Sequence, residues 1–128
     1  MVLDSSAIIA ILLREPGYEQ LIDKINHAPL TAIGVPTVLE TGMVLTARRS
    51  RDARSILYSF LRNAQTEIVP FNEEHLDAAL TAFVRFGRGR HRASLNFGDC
   101  MSYAIASVAE MPLLFTGDDF ARTDILPA

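Results

Sequence analysis

The chain has 128 residues, a formal net charge of −3, 49% hydrophobic and 21% charged residues, and one cysteine. That length suits a single domain over residues 1–128 with room for a real core, and the charge argues against indiscriminate binding to nucleic acid. Cys100 has no partner in the chain, which excludes a disulfide framework and a cysteine metal site; with no His near it in sequence it reads as a buried thiol.

In chain order, a short strand is predicted at Met1–Leu3, then helices at Ser5–Leu13 and, after the break at "EPG", at Tyr18–His27. The apolar run Ala7–Leu13 is far too short to span a bilayer, and "MVLD" enters structure without a basic leader, so a cytoplasmic protein is expected. A strand at Leu30–Ile33 leads into helices at about Pro36–Arg49 and Asp52–Gln65. A strand at Glu67–Phe71 follows, then a helix at Glu73–Phe86 with Leu76, Ala79, Leu80 and Phe83 on one face. "GRGRHRASLNFG" reads as a loop, the segment from Asp99 to Glu110 as a helix stopped by Pro112, and Leu113–Thr116 as the last strand. Strands alternating with helices indicate an α/β fold with a short, mainly parallel central sheet flanked by helices.

The helix after Asp99 is apolar nearly all round, so it should be buried. Asp99 at its start fits a capping role, yet a carboxylate partly removed from water needs a cation, donors or a proton to offset the cost. Other acids also abut apolar stretches: Asp4 after "MVL", Glu40 inside "PTVLETGMVL", and Asp118 and Asp119 after "LLFTG". Each has a local explanation. Asp4 can cap the helix at Ser5, Thr37 and Glu40 have capping-box spacing, and Asp118 can set a turn.

Together the acids suggest more. In an open parallel sheet the groups at the carboxyl ends of strands, and at the starts of the helices that follow, meet along one edge. Several carboxylates gathered there repel one another unless a divalent cation sits among them, and an oxygen-only donor set selects a hard ion, Mg²⁺ or Mn²⁺. Eleven of the twelve basic residues are Arg, including a run over Arg85, Arg88, Arg90 and Arg92 whose forked guanidinium groups suit phosphate. Acids, a hard dication and Arg are suited to phosphodiester hydrolysis. Between Pro36 and Gln65 the chain also offers Val38, Leu39, Met43, Val44, Ile56, Leu57, Phe60 and Leu61, either as core or as a partner surface.

These residues resemble the PIN-domain ribonucleases, specifically the VapC-type toxins of toxin–antitoxin pairs. "VLDSSAIIAILLREPGYEQL" looks like that family's D-[ST]-S-A segment, "TVLETGMVL" like its Glu-bearing helix, "GRGRHRASLNFGDCMSYAIA" like its helix-entry motif, and "PLLFTGDDFARTDI" like its closing strand and turn. The resemblance implies a PIN-like three-layer fold and an Mg²⁺- or Mn²⁺-dependent endoribonuclease whose action inhibits translation. It implies Asp4, Glu40, Asp99 and Asp119 as catalytic, metal-binding acids, with Arg88, Arg90 and Arg92 on substrate and Ser6 orienting the pocket. Many relatives carry an Asp where this chain has Gly117, so Asp118 competes with Asp119 for the fourth place; the D-F pair favours Asp119. Implied partners are RNA, a second copy of the chain, and a VapB-type antitoxin whose tail wraps the toxin and inserts an Arg among the acids. A noncatalytic RNA-binding or regulatory domain is the alternative. A phosphoaspartyl domain using Asp4 fits poorly, since the only lysine is Lys24.

Overall fold

A computed structural model describes residues 1–128. Four strands, β1 (Val2–Leu3), β2 (Ala32–Gly34), β3 (Glu67–Val69) and β4 (Leu113–Leu114), form one sheet in the order β3-β2-β1-β4, every pair parallel. Parallel neighbours require crossovers, which the helices supply: α1 (Ser5–Leu13) and α2 (Tyr18–His27), α3 (Val35–Arg49) and α4 (Arg54–Asn63), α5 (Glu73–Phe86) and α6 (Phe97–Val108). The expected α/β fold with helices flanking a short parallel sheet is therefore present.

Strand side chains alternate between faces, and in β1, β2 and β4 both faces are covered, whereas the edge strand β3 leaves Glu67 and Ile68 exposed. Val2, Ala32 and Leu113 pack with α5 and α6, whereas Leu3, Ile33 and Leu114 pack with α1, α2, α3 and α4. This is why the strands read as unbroken apolar runs. The chain leaves β1 toward β2 on one side, while β4 pairs with β1 on the other, so the order reverses between β1 and β4. In parallel sheets functional groups gather at such a point, beyond the carboxyl ends of both strands.

The apolar helix is buried as expected, with Cys100, Ser102, Tyr103, Ala104, Ile105 and Ala106 all inaccessible, but it begins at Phe97, two residues before the expected start. Leu30 lies outside β2 and is exposed; β3 stops at Val69, ahead of Pro70. The expected face of α5 needs correction. Ala79 is buried, but Leu76, Leu80 and Phe83 are exposed; the packed side carries His75, Ala79, Ala82 and Phe86. Against α6 the small alanines allow close approach, which leaves the larger apolar row outside. The stretch from Pro36 to Gln65 divides similarly: Leu57 and Leu61 are core, whereas Leu39 and Met43 face outward. The loop between α5 and α6 is pinned by the Gly87–Leu95 bridge and by the fully buried Ala93 and Leu95.

Candidate functional site

Asp4 follows β1 directly and caps α1, its extended backbone (φ −84°, ψ 157°) turning the side chain toward the helix start. It is only 3% exposed. Its Oδ2 accepts the Ser6 N–H at 3.0 Å and the Ser6 hydroxyl at 2.5 Å, and that hydroxyl accepts the Thr116 N–H at 3.1 Å, just past β4. Ser6 thus ties the ends of the neighbouring strands β1 and β4 together through Asp4, and its one proton is committed there. The other oxygen, Oδ1, is buried without a protein partner.

Glu40 projects from α3 and also keeps one buried oxygen, Oε2, without a partner. Burial raises its pKa, the Ser5 hydroxyl offsets part of the rise, and the charge of Asp4 adds to it. Thr37 and Glu40 do not form a capping box. The N-cap of α3 is Gly34, which has no side chain to offer, and Pro36 follows within the first turn. The Thr37 hydroxyl instead lies 3.2 Å from the Ser102 hydroxyl of α6, while the Thr41 hydroxyl donates to the Thr37 carbonyl at 2.6 Å. These three side chains are inaccessible to solvent and hold α3 against α6 one turn from Glu40 and Asp99.

Asp99 is the third residue of α6. The Asn96 N–H donates to its Oδ2 at 2.8 Å, and the Asp99 N–H donates to Asn96 Oδ1 at 2.9 Å. Despite that donor, the Asp99 pKa is pushed up to about 6, first by burial and then by the charges of Asp4, Asp119 and Glu40. Acids from α1, α3, α6 and the turn after β4 therefore share one electrostatic field.

Asp119 starts a short 3₁₀ turn, Phe120–Arg122, and its charge is felt by Asp99. Asp118, with its side chain 82% exposed, stands 3.9 Å from Arg122 and does not contribute to that rise. No three of the acids converge to a ready-made ligating group. Drawing them closer costs like-charge repulsion that a cation would offset. Two buried carboxylate oxygens lacking protein donors, with only oxygen ligands nearby, fit a hard dication and not zinc.

The arginines separate into two kinds. Arg85 pairs with Asp124 at 2.8 Å and lies 4.5 Å over the Phe86 ring, so it braces the C-terminal segment and is not a free phosphate donor. Tyr103 donates to the same Asp124 at 2.7 Å. Arg88, Arg90 and Arg92 extend from the loop before α6 with exposed side chains, Arg90 lying 5.5 Å over the Phe83 ring. Ser5, whose hydroxyl lowers the Glu40 pKa, is not singled out from the sequence beside Ser6; the doubled serine of D-S-S-A is the available signal. A groove of about 870 Å³ lies elsewhere, between α3 and α4, and is lined by Val35, Leu39, Met43, Leu57, Tyr58 and Ile68.

The PIN domain family profile matches residues 1–126. A Ribonuclease VapC of Mycolicibacterium smegmatis is 41% identical over 125 residues, covering 98% of this chain and 97% of the relative. Ribonuclease VapC36 of Mycobacterium tuberculosis is 41% identical over 128 residues, covering 98% and 91%. Among solved structures, the fold matches Mycobacterium tuberculosis VapC20, a Sarcin-Ricin loop cleaving toxin, with a TM-score of 0.79 at 14% identity, covering 99% and 97% of the two chains. It also matches a chain of a toxin-antitoxin complex from Klebsiella pneumoniae, with a TM-score of 0.72 at 16% identity, covering 99% and 95%. With a β3-β2-β1-β4 parallel sheet, a family profile that matches residues 1–126 and relatives of this identity over nearly its full length, the chain belongs to the PIN-domain family, among the VapC ribonucleases.

Proposed function

We propose that this chain is an Mg²⁺- or Mn²⁺-dependent endoribonuclease that serves as the toxin of a toxin–antitoxin pair and inhibits translation by cutting RNA. The observation that carries this reading is the field shared by Asp4, Glu40, Asp99 and Asp119, with buried, unpartnered oxygens on two of them. These four side chains would hold the ion. When bound, a hard dication supplies the Lewis acidity that makes a water nucleophilic and steadies charge on the leaving oxygen. Asp4 is held for this role by Ser6, and Asp99 by the Asn96 N–H. Arg88, Arg90 and Arg92 engage RNA phosphates, contacts that weaken as salt rises.

The resemblance also implies partners, which this chemistry can accommodate. A VapB-type antitoxin that inserts an Arg among the acids satisfies the charge that a metal would otherwise satisfy. Its apolar segment takes the α3–α4 groove, where Leu39 and Met43 stand exposed beside the helix that carries Glu40. A second copy takes the exposed row Leu76, Leu80, Phe83 and Val84 of α5, since large apolar side chains aligned on one helix face are suited to a self-complementary two-fold contact. No helix is long and apolar enough to cross a membrane, and a cytoplasmic site of action suits the buried free thiol of Cys100.

The test is incubation of the purified protein with total RNA in Mg²⁺, Mn²⁺ or EDTA, beside Asp4→Asn. Discrete fragments are expected only with metal and intact Asp4. RNA binding without cleavage, unchanged by EDTA, would replace this reading with the noncatalytic one.

A further inference from the structure

Gly98 is the second residue of α6, in ordinary helical conformation. Nothing in its backbone requires glycine, and glycine inside a helix is less favourable than alanine. The space beside it supplies the reason. A Cβ at Gly98 would overlap Glu40 Oε1 and lie 2.6 Å from both the carboxyl carbon and Oε2. The Glu40 carboxylate occupies the volume a side chain at position 98 would fill, lying against the first turn of the helix that carries Asp99. Oxygen and carbon atoms do not approach a real Cβ so closely, so any larger residue must move the carboxylate. The helices themselves cannot readily separate, because the buried Thr37–Ser102 hydroxyl pair joins α3 to α6 one turn further along.

We propose that Gly98 is a positioning residue that sets where the Glu40 carboxylate stands relative to Asp99 and Asp4. Its consequence for metal rests on the nuclease reading above; its geometry does not. The atoms that would meet the new Cβ belong to the far end of a flexible side chain, so Gly98→Ala swings the carboxylate aside without breaking the fold. Thermal stability of the metal-free protein should hold or rise with the better helix former, while function falls. That pairing separates positioning from a general structural role.

The experiment combines Gly98→Ala with changes at Glu40. In the metal-free protein, the carboxyl-carbon NMR resonance of Glu40 is expected to move in Gly98→Ala and to stay in place in the control Ser107→Ala, an exposed position near the far end of the same helix. Mn²⁺ affinity, measured by calorimetric titration, should fall about 10- to 100-fold, the range for lost support of a ligand. Glu40→Asp, one methylene shorter, should recover part of that loss when combined with Gly98→Ala, and Glu40→Ala should make Gly98→Ala silent. An unmoved Glu40 resonance, or an equal loss of affinity with and without the Glu40 side chain, overturns the proposal. A wild-type protein that neither binds Mn²⁺ nor cleaves RNA would sink the nuclease reading instead, and the resonance would still decide the contact.

Discussion

At the start of α5 the His75 N–H donates to Asn72 Oδ1 and the Asn72 N–H donates to His75 Nδ1, both at 3.2 Å. At the start of α6, Asn96 and Asp99 repeat the arrangement at 2.8 and 2.9 Å. The two boxes use the same backbone logic: two free N–H groups at a helix start are satisfied reciprocally by side chains three residues apart. They differ in what is left over. His75 accepts through Nδ1, carries its proton on Nε2, and is buried with its ring 5.4 Å from that of Phe71. Asp99 spends one oxygen on the cap and keeps a second oxygen and a negative charge within the field of three other acids. A helix start needs only an acceptor, so the charge at Asp99 is surplus to capping. Capping explains the place of Asp99 in the chain, and the surplus is what the proposed metal chemistry would use.

Exchanging the third residue of each box should separate these contributions most widely. Asp99→Asn keeps an oxygen for the Asn96 N–H and removes the charge. RNA cleavage should fall about a thousandfold or more, the scale for loss of a catalytic group, with the helix intact by circular dichroism. His75→Ala removes both an acceptor and a packed ring; it should cost about 1–3 kcal/mol in urea unfolding and leave cleavage by the folded fraction unchanged. Equal loss of cleavage in both variants would reduce Asp99 to a cap.

The surplus charge also has a pH signature. The folded pKa of Asp99, about 6, lies above its ordinary value of 3.8, so the folded protein holds the proton more tightly than the unfolded chain. The stabilisation is therefore complete below about 3.8 and is lost as pH rises through about 6. Without metal, unfolding free energy should drop by about 1–2 kcal/mol between pH 4.5 and 7.5, after allowance for the solvent that reaches Asp99. The raised pKa of Glu40 acts in the same direction. Asp52, lowered to about 2 by its bonds with Arg54, titrates below this window. In Asp99→Asn the slope should shrink, and saturating Mn²⁺ should stabilise the wild type at pH 7.5 by preferential binding to the folded state. A flat wild-type profile would show that burial and neighbouring acids do not burden Asp99.

What can be read from the sequence follows the range of the interactions involved. Helices α1, α2 and α5 run over the expected residues because breaks, caps and apolar spacing are local. The start of α6 falls ahead of expectation because N-x-x-D is a less familiar box than S/T-x-x-E/Q, and the acid is the more conspicuous half of the pair. Thr37 meets the spacing of a capping box, yet its hydroxyl bonds to Ser102, 65 residues on. The Ser6–Thr116 bond spans 110 residues, and the seat of Glu40 on Gly98 joins two helices. No periodicity encodes such meetings. The row Leu76, Leu80 and Phe83 is legible as a stripe but not as an exposed one, since its orientation depends on how closely the alanines of α5 approach α6. The acids can be named from sequence, while their spacing is a property of the fold.

The finest separation comes from the caps themselves. Asn72→Ala and Asn96→Ala each remove one side-chain acceptor from an N–H at the third helical position, and each should cost about 1 kcal/mol in unfolding free energy. Their effects on cleavage should differ. At α5 the loss stays within a helix start that touches no acid of the site, so the activity of the folded protein should be unchanged. At α6 the Asp99 N–H loses its partner, and the first turn that fixes both Asp99 and the backbone under Glu40 loosens. Cleavage should fall several-fold while the stability costs match, because a positional error of a few tenths of an ångström is tolerated by packing but not by a set of charges that, on the proposed function, would share one ion.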